Sequence, residues 1–256
     1  MSFIYAIVLG LVQGLTEFLP VSSSGHLLLV NKLFGESGDF LFVAILLHLA
    51  TLLAVVIVFR KDVLYLIKNP FSLETKRLII ATIPTVIIVL IFEGFINNAF
   101  SGDLLPYCFL ATAILLFIVD MGKNKKRKIV KELSYKSAFI MGVFQGVAVV
   151  PGISRSGATI CAGLLAGEPR EEVAKFSFLM SIPIILASML YEVLGAIVNK
   201  TPVFVGNVLP VIISFVVAFI VGIFAIKIML KVVSKAKYFG FSIYLIIIAI
   251  LTFFIL

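Results

Sequence analysis

The sequence specifies an all-α polytopic membrane protein, with six spanning helices plus two re-entrant helical hairpins arranged as two inverted-topology repeats. Composition, charge placement and an internal repeat predict this. Over 256 residues, 62% are apolar and 13% charged, with mean hydropathy +1.22. A soluble domain is roughly half apolar and about a quarter charged. That excludes a soluble enzyme, a disordered chain and a nucleic-acid-binding domain. The net charge of +8 is therefore tested first as a topology signal, because basic residues collect in cytoplasmic loops. No polar stretch is long enough for a second domain, so residues 1–256 read as a single membrane domain. Cys108 and Cys161 lie in apolar runs without metal-ligand spacing and read as packing residues. The chain is apolar from Phe3 and has no basic residue before Lys32, so its first segment is expected to belong to the mature protein.

A spanning helix needs about 20 mainly apolar residues. The first apolar stretch, 2–35, is broken at Leu19–His26 by Pro20, three serines and Gly25. Each arm is too short to span, and the stretch reads as a hairpin dipping to mid-membrane; an external loop between two full spans is the competing reading. Polar backbone at membrane depth requires burial in protein or a wet cavity. Spans follow at 40–60, 77–96 and 104–121. A second broken stretch, 137–167, is interrupted at Pro151–Gly157, and spans at 174–197, 207–231 and 238–256 complete the chain. Pro84 and Pro183 would kink two of the spans, which neighbouring helices accommodate.

Charge placement orients these segments. With 122–136 cytoplasmic (Lys123 to Lys136), the other basic loops, 60–77, 168–175 and 227–237, fall on the same side. Only Lys32 and Lys200 lie outside, and Arg155 is left within the second break. The first hairpin then enters from outside, the second from inside, and both termini lie outside.

The repeat is independent of that threading. GLVQGLTEFLPVSSSG (Gly10–Gly25) aligns without a gap on GVFQGVAVVPGISRSG (Gly142–Gly157). Gly10, Gln13, Gly14, Ser22, Ser24 and Gly25 match Gly142, Gln145, Gly146, Ser154, Ser156 and Gly157. Repeat 1 (about 1–121) and repeat 2 (about 137–256) each hold one hairpin and three spans, so the second is inverted. Such repeats place a site at their midplane interface.

The breaks carry the chemistry. Gln13 and Glu17 are four apart on one helix face. Ser22, Ser23, Ser24, Gly25 and His26 suit the start of a helix, where backbone N–H groups bind anions. The second break adds Ser154, Arg155, Ser156, Gly157 and Thr159. Ionisable groups at membrane depth mark function by default, and Arg155 has the fork geometry for phosphate. Glu17 or a ligand phosphate would be its partner. Plain helix capping, a structural Glu17–Arg155 pair and a packing His26 are the bland alternatives. His48, alone in an apolar span, reads as packing, and Glu93 and Glu192 as rim residues. Together the groups suggest a phosphate-handling pocket, since phosphoryl transfer depends on positioning and charge stabilisation.

QGLTEFLPVSSSGH and PGISRSG resemble the two signature motifs of the undecaprenyl-pyrophosphate phosphatase family, linked to bacitracin resistance, and LLHLATLLAV is similar to it as well. The resemblance runs over the whole chain. It implies a bacterial inner-membrane hydrolase that converts the polyprenyl pyrophosphate carrier to its monophosphate and inorganic phosphate, recycling it for cell-wall synthesis. The family's carboxylate motif, Glu or Gln four positions before Glu, falls on Gln13 and Glu17; the Gln departs from a two-carboxylate metal site. The motif serine and histidine fall on Ser23 and His26, and the arginine on Arg155 between Ser154 and Ser156. A divalent cation, Mg²⁺ or Ca²⁺, and a pocket open to the periplasm are implied. Expected partners are the lipid substrate and membrane lipid, without nucleic acid; a homodimer is compatible. Two mechanisms stay open: Ser23 attacks and Glu17 or His26 takes its proton, or His26 attacks and Ser23 binds phosphate. A polyprenyl-phosphate transporter or flippase is the alternative function.

Overall fold

A computed structural model describes residues 1–35, 40–122, 133–198, 207–235 and 237–256. Lys123–Lys131, Lys200 and the side chains of Glu192 and Lys235 lie outside the described residues, so most of the basic loop used for orientation does too. The described residues are all helical apart from turns and short connections.

The first hairpin is α1 (Phe3–Thr16) and α2 (Ser23–Phe34), broken at 17–22. Then come α3 (Phe40–Val58), α4 (Arg60–Lys68), α5 (Leu73–Ile91), α6 (Glu93–Ala99) and α7 (Leu105–Met121). The second hairpin is α8 (Tyr135–Val147) and α9 (Arg155–Leu165), followed by α10 (Arg170–Leu179), α11 (Ser181–Val198), α12 (Val208–Lys235) and α13 (Phe239–Ile255).

Both broken stretches therefore break where the sequence places their prolines and serines. The six expected spans are less uniform. Helices Arg170–Gly195 and Val208–Val233, each of 26 residues, are long and apolar enough to cross a membrane. The first merges α10 with α11, so the span expected at 174–197 begins earlier. The expected spans at 40–60 and 77–96 end in sharp bends: α3 turns by 84° into α4, and α5 by 76° into α6. By length and composition, two helices among the described residues qualify, or up to four if each bent pair is one span. The expected spans 104–121 and 238–256 are the 17-residue α7 and α13. At ~1.5 Å per residue they measure ~25 Å, short of a ~30 Å hydrocarbon core. They pack against each other.

The two halves of the chain pack across each other. The hairpin of each half lies against a long helix of the other: α1 on α12, and α8 on α5. The matched glycines explain this. A Cβ on Gly10 would meet the Ser214 carbonyl at 2.6 Å, and one on Gly14 would meet Val221 at 2.7 Å. On the other side, Gly142 faces the backbone of Ala81, and a Cβ on Gly146 would meet Ile88 at 2.9 Å. Small residues one turn apart let these backbones approach closely.

The hairpin ends match as well. Ser2 caps α1 by accepting from the Tyr5 amide, and Ser134 caps α8 by accepting from the Ser137 amide. Gly35 and Gly167, at the far ends, both have positive φ (62° and 88°). These pairs are separated by the same offset as the aligned motifs.

Candidate active site

Each break ends in a serine that caps the next half-helix. Ser22 accepts from the Gly25 amide at 3.4 Å, and Ser154 from the Gly157 amide at 3.1 Å. The amides of the first helical residues, Ser23–Ser24 and Arg155–Ser156, precede the first i→i−4 bond of their helices and are open to an acceptor. The breaks lock together. The Gly152 amide donates to Ser22 Oγ (3.1 Å), and Ser156 Oγ donates to the Leu19 carbonyl (3.0 Å). A Cβ on Gly25 would meet Gly152 Cα at 2.9 Å, and one on Gly157 would meet Pro20 at 3.3 Å. Gly25 thus admits the Gly152 backbone and the Phe109 ring, and Gly157 the Ser154 and Pro20 side chains. Ser22 has φ +70°, a left-handed backbone that costs a non-glycine residue free energy. It is held there by its own Oγ, which also meets Ser24 Oγ at 3.4 Å.

Glu17 is the centre of the cluster and is buried. Its Oε1 accepts from Arg155 Nη2 across the breaks. Its Oε2 accepts from Ser23 Oγ at 2.5 Å and from Gln13 Nε2 at 3.1 Å. Gln13, Glu17, Ser23 and Arg155 therefore converge as the sequence reading expects. At the same repeat position, Ser23 opens α2 and Arg155 opens α9. One half supplies a hydroxyl where the other supplies a cation.

His26 is placed differently from the sequence expectation. Its Nδ1 lies 2.7 Å from the Ser22 carbonyl and its Nε2 2.8 Å from Tyr244 Oη. A carbonyl only accepts, so Nδ1 carries the hydrogen, and in the neutral ring Nε2 accepts from the tyrosine. The ring stacks on Tyr244, with centroids 5.7 Å apart and planes 5° apart, and meets Phe109 edge-on. Both nitrogens are engaged, neither with Ser23 nor with Glu17. Thr159 also turns away from the carboxylate, with its Oγ1 2.6 Å from Ser177 Oγ and 2.8 Å from the Arg155 carbonyl.

Sequence reasoning missed four groups. His48, read as packing, brings Nε2 to 3.5 Å from Glu17 Oε2, while its Nδ1 bonds the Ala44 carbonyl. Thr51, one turn on, accepts from Gln13 Nε2 at 3.2 Å. Thr112 on α7 braces the second break, accepting from the Ser154 amide at 3.1 Å and donating to the Gly152 carbonyl at 3.2 Å. Tyr244 on α13 braces the first break through His26. Thr112 and Tyr244 are repeat equivalents, each holding the break of the other half. Glu93, expected at the rim, is exposed enough to accept from Tyr191 Oη near the surface.

One atom bears on a cation. Gln13 Oε1 is buried and accepts no hydrogen bond. Among the described residues no group of three or more His, Cys, Asp or Glu could hold a metal ion. A Mg²⁺ that binds substrate phosphates needs only one or two protein oxygens; Gln13 Oε1 is an oxygen of that kind, whereas both Glu17 oxygens already accept hydrogen bonds.

A profile of the family described as "Bacitracin resistance protein BacA" matches residues 6–251. The chain belongs to this family. Within it, the chain is 41% identical over 245 residues to a protein of Carboxydothermus hydrogenoformans named undecaprenyl-diphosphatase, covering 95% of this chain and 94% of that one. A Methanococcus vannielii protein of the same name is 39% identical, with coverage of 93% and 95%. One from Thermosipho africanus is 41% identical, with coverage of 97% and 98%. The chain is accordingly a membrane protein with several apolar spans.

Proposed function

We propose that this chain is a membrane-bound undecaprenyl-diphosphatase, hydrolysing undecaprenyl diphosphate to undecaprenyl phosphate and inorganic phosphate. The observation that carries the mechanism is Glu17 held between the Ser23 hydroxyl and the Arg155 guanidinium. Ser23 Oγ already donates to Glu17, so the carboxylate takes that proton as Oγ attacks the terminal phosphorus. The bond from that phosphorus to the bridging oxygen breaks, and its electrons leave on undecaprenyl phosphate. Water then attacks the phosphoserine, releases phosphate and restores the hydroxyl. Arg155 and the open amides of α2 and α9 hold the charge that develops on the phosphoryl oxygens. His26 positions the Ser22 turn, through its bond to the Ser22 carbonyl, and this favours Ser23 over His26 as nucleophile. A divalent cation, Mg²⁺ or Ca²⁺, would be held by Gln13 Oε1 beside Glu17 and would offset charge on the pyrophosphate. Ser24, Ser154, Ser156 and Gly157 shape the anion cradle.

In the membrane, α1–α2 and α8–α9 act as re-entrant hairpins and the remaining long helices as six spans in two inverted repeats. The pairing of α1 with α12 and of α8 with α5 supports that reading. Both termini then face outward, in a bacterial inner membrane. The same crossed packing also suits a flippase for the lipid product. The test is phosphate release from undecaprenyl diphosphate by purified protein in detergent. Wild-type turnover in Ser23→Ala excludes Ser23 as nucleophile. Flip of labelled lipid in liposomes by that inactive variant would add transport.

A further inference from the structure

At the bend between α3 and α4, away from the breaks, a cavity of about 400 Å³ opens against α12, lined by Ile57, Val58, Arg60, Lys61, Asp62, Ile223 and Lys227. Its chemistry is divided. One wall is aliphatic, from Ile57 and Val58 on α3 and Ile223 on α12. The other is basic, from Arg60, Lys61 and Lys227. The single acid, Asp62, does not balance these cations, because its Oδ1 pairs with Lys175 Nζ on α10 at 2.6 Å. Arg60, Lys61 and Lys227 are exposed, and none forms a salt bridge among the described residues. Three uncompensated like charges gathered in one cleft call for an anion. The adjoining apolar wall, which includes the exposed Ile57 and lies next to the exposed Phe224 on α12, calls for an acyl chain. An isolated phosphate would use only half of the lining.

We infer that this groove is a binding site for one anionic phospholipid, with its phosphodiester headgroup among Arg60, Lys61 and Lys227 and a chain along Ile57 and Ile223. It lies where the apolar part of α3 ends and the basic segment begins, on the side that the charge threading makes cytoplasmic, where anionic headgroups attract basic segments. The groove's walls are functional helices. α12 packs on α1 and on α3, and α3 carries His48 and Thr51, which reach Glu17 and Gln13. A lipid seated between α3 and α12 therefore bridges the two helices that back the first hairpin.

The experiment titrates delipidated full-length protein with phosphatidylglycerol or phosphatidylcholine and reads bound lipid by native mass spectrometry. Phosphatidylglycerol is expected to bind preferentially. Arg60→Gln, Lys61→Gln and Lys227→Gln should each weaken it by about fivefold, the scale for one basic residue near a membrane surface, with phosphatidylcholine unaffected. Lys68→Gln, exposed on α4 but outside the groove, should leave the preference intact. Equal losses in Lys68→Gln and Lys61→Gln would mean diffuse attraction and overturn the site, as would displacement of the lipid by inorganic phosphate at equal concentration. Turnover of undecaprenyl diphosphate, in which none of the four residues takes part, reports that each variant is folded.

Discussion

Arg155 and Glu17, 138 residues apart, form an ion pair that ties the second break of the chain to the first. The Glu17 side chain is 3% exposed and that of Arg155 17%. Removing the cation leaves a buried carboxylate without its partner, which costs ~3–5 kcal/mol, and also removes the main positive charge facing the phosphate. Arg155→Ala should lower turnover by ~10²–10³-fold and lower the melting temperature. Adding Glu17→Gln to Arg155→Ala should recover the melting temperature but not turnover. Recovery of both would make the pair purely structural. Arg155→Lys keeps the charge but loses the planar fork, so its turnover should stay well below wild type.

Ser23 makes one side-chain hydrogen bond, to Glu17. Ser23→Ala leaves the carboxylate with Arg155 and Gln13, so folding should change by only ~1 kcal/mol while phosphate release is abolished. A rapid-quench search for phosphoserine in wild type checks the covalent step. Its absence under single-turnover conditions, with water attacking directly, would remove Ser23 as nucleophile even if Ser23→Ala is inactive.

Tyr244 is a positioning residue. Tyr244→Phe keeps the stack on His26 and deletes the bond to Nε2. The expected result is a fall in kcat of about fivefold, the scale of one hydrogen bond, with KM and melting temperature near wild type. An unchanged kcat would show that the imidazole is fixed by Ser22 and Phe109 alone.

Residues that break an apolar run were legible in the sequence. Glu17, Ser23 and Arg155 stand out because a polar group at membrane depth has no cheap explanation, and the repeat brings them together. His48 and Thr51 were not legible as partners of Gln13 and Glu17, since a histidine and a threonine in a helix can be satisfied by the preceding turn, as both partly are. Tyr244 lies 218 residues from His26, and only the packing of α13 beside the first break joins them. The bends at Phe59 and Phe92 were hidden for a different reason. Hydropathy measures how long an apolar run is, not whether its axis stays straight.

Gln13 tests the cation reading. Its Oε1 accepts nothing, while its Nε2 donates to Glu17 and Thr51, so Gln13→Glu exchanges those two bonds for a second carboxylate facing Glu17, a pair that a cation between them would relieve. The Mg²⁺ concentration for half-maximal phosphate release should fall several-fold relative to wild type. Chelation of divalent ions should abolish release in both proteins. An unchanged midpoint in Gln13→Glu would place the cation away from Gln13.

The matched glycines predict where the helix pairs resist change. A Cβ at position 142 would meet the backbone of Ala81, and backbone cannot rotate aside. Gly142→Ala should destabilise by ~1–3 kcal/mol, and trimming Ala81 to glycine should not repair it. At position 146 the obstacle is a side chain, Ile88, with its Cβ 2.9 Å and Cδ1 3.0 Å from the added Cβ. Gly146→Ala should therefore lower the melting temperature in detergent, and Ile88→Ala in the same chain should restore part of it. Gly94, where an added Cβ meets nothing within 4 Å, is the control. Gly94→Ala lies inside α6 and should be neutral or stabilising by up to ~1 kcal/mol. If Gly142→Ala behaved like Gly94→Ala, α5 and α8 would not be in backbone contact, and the crossed packing of the two halves would lose its support.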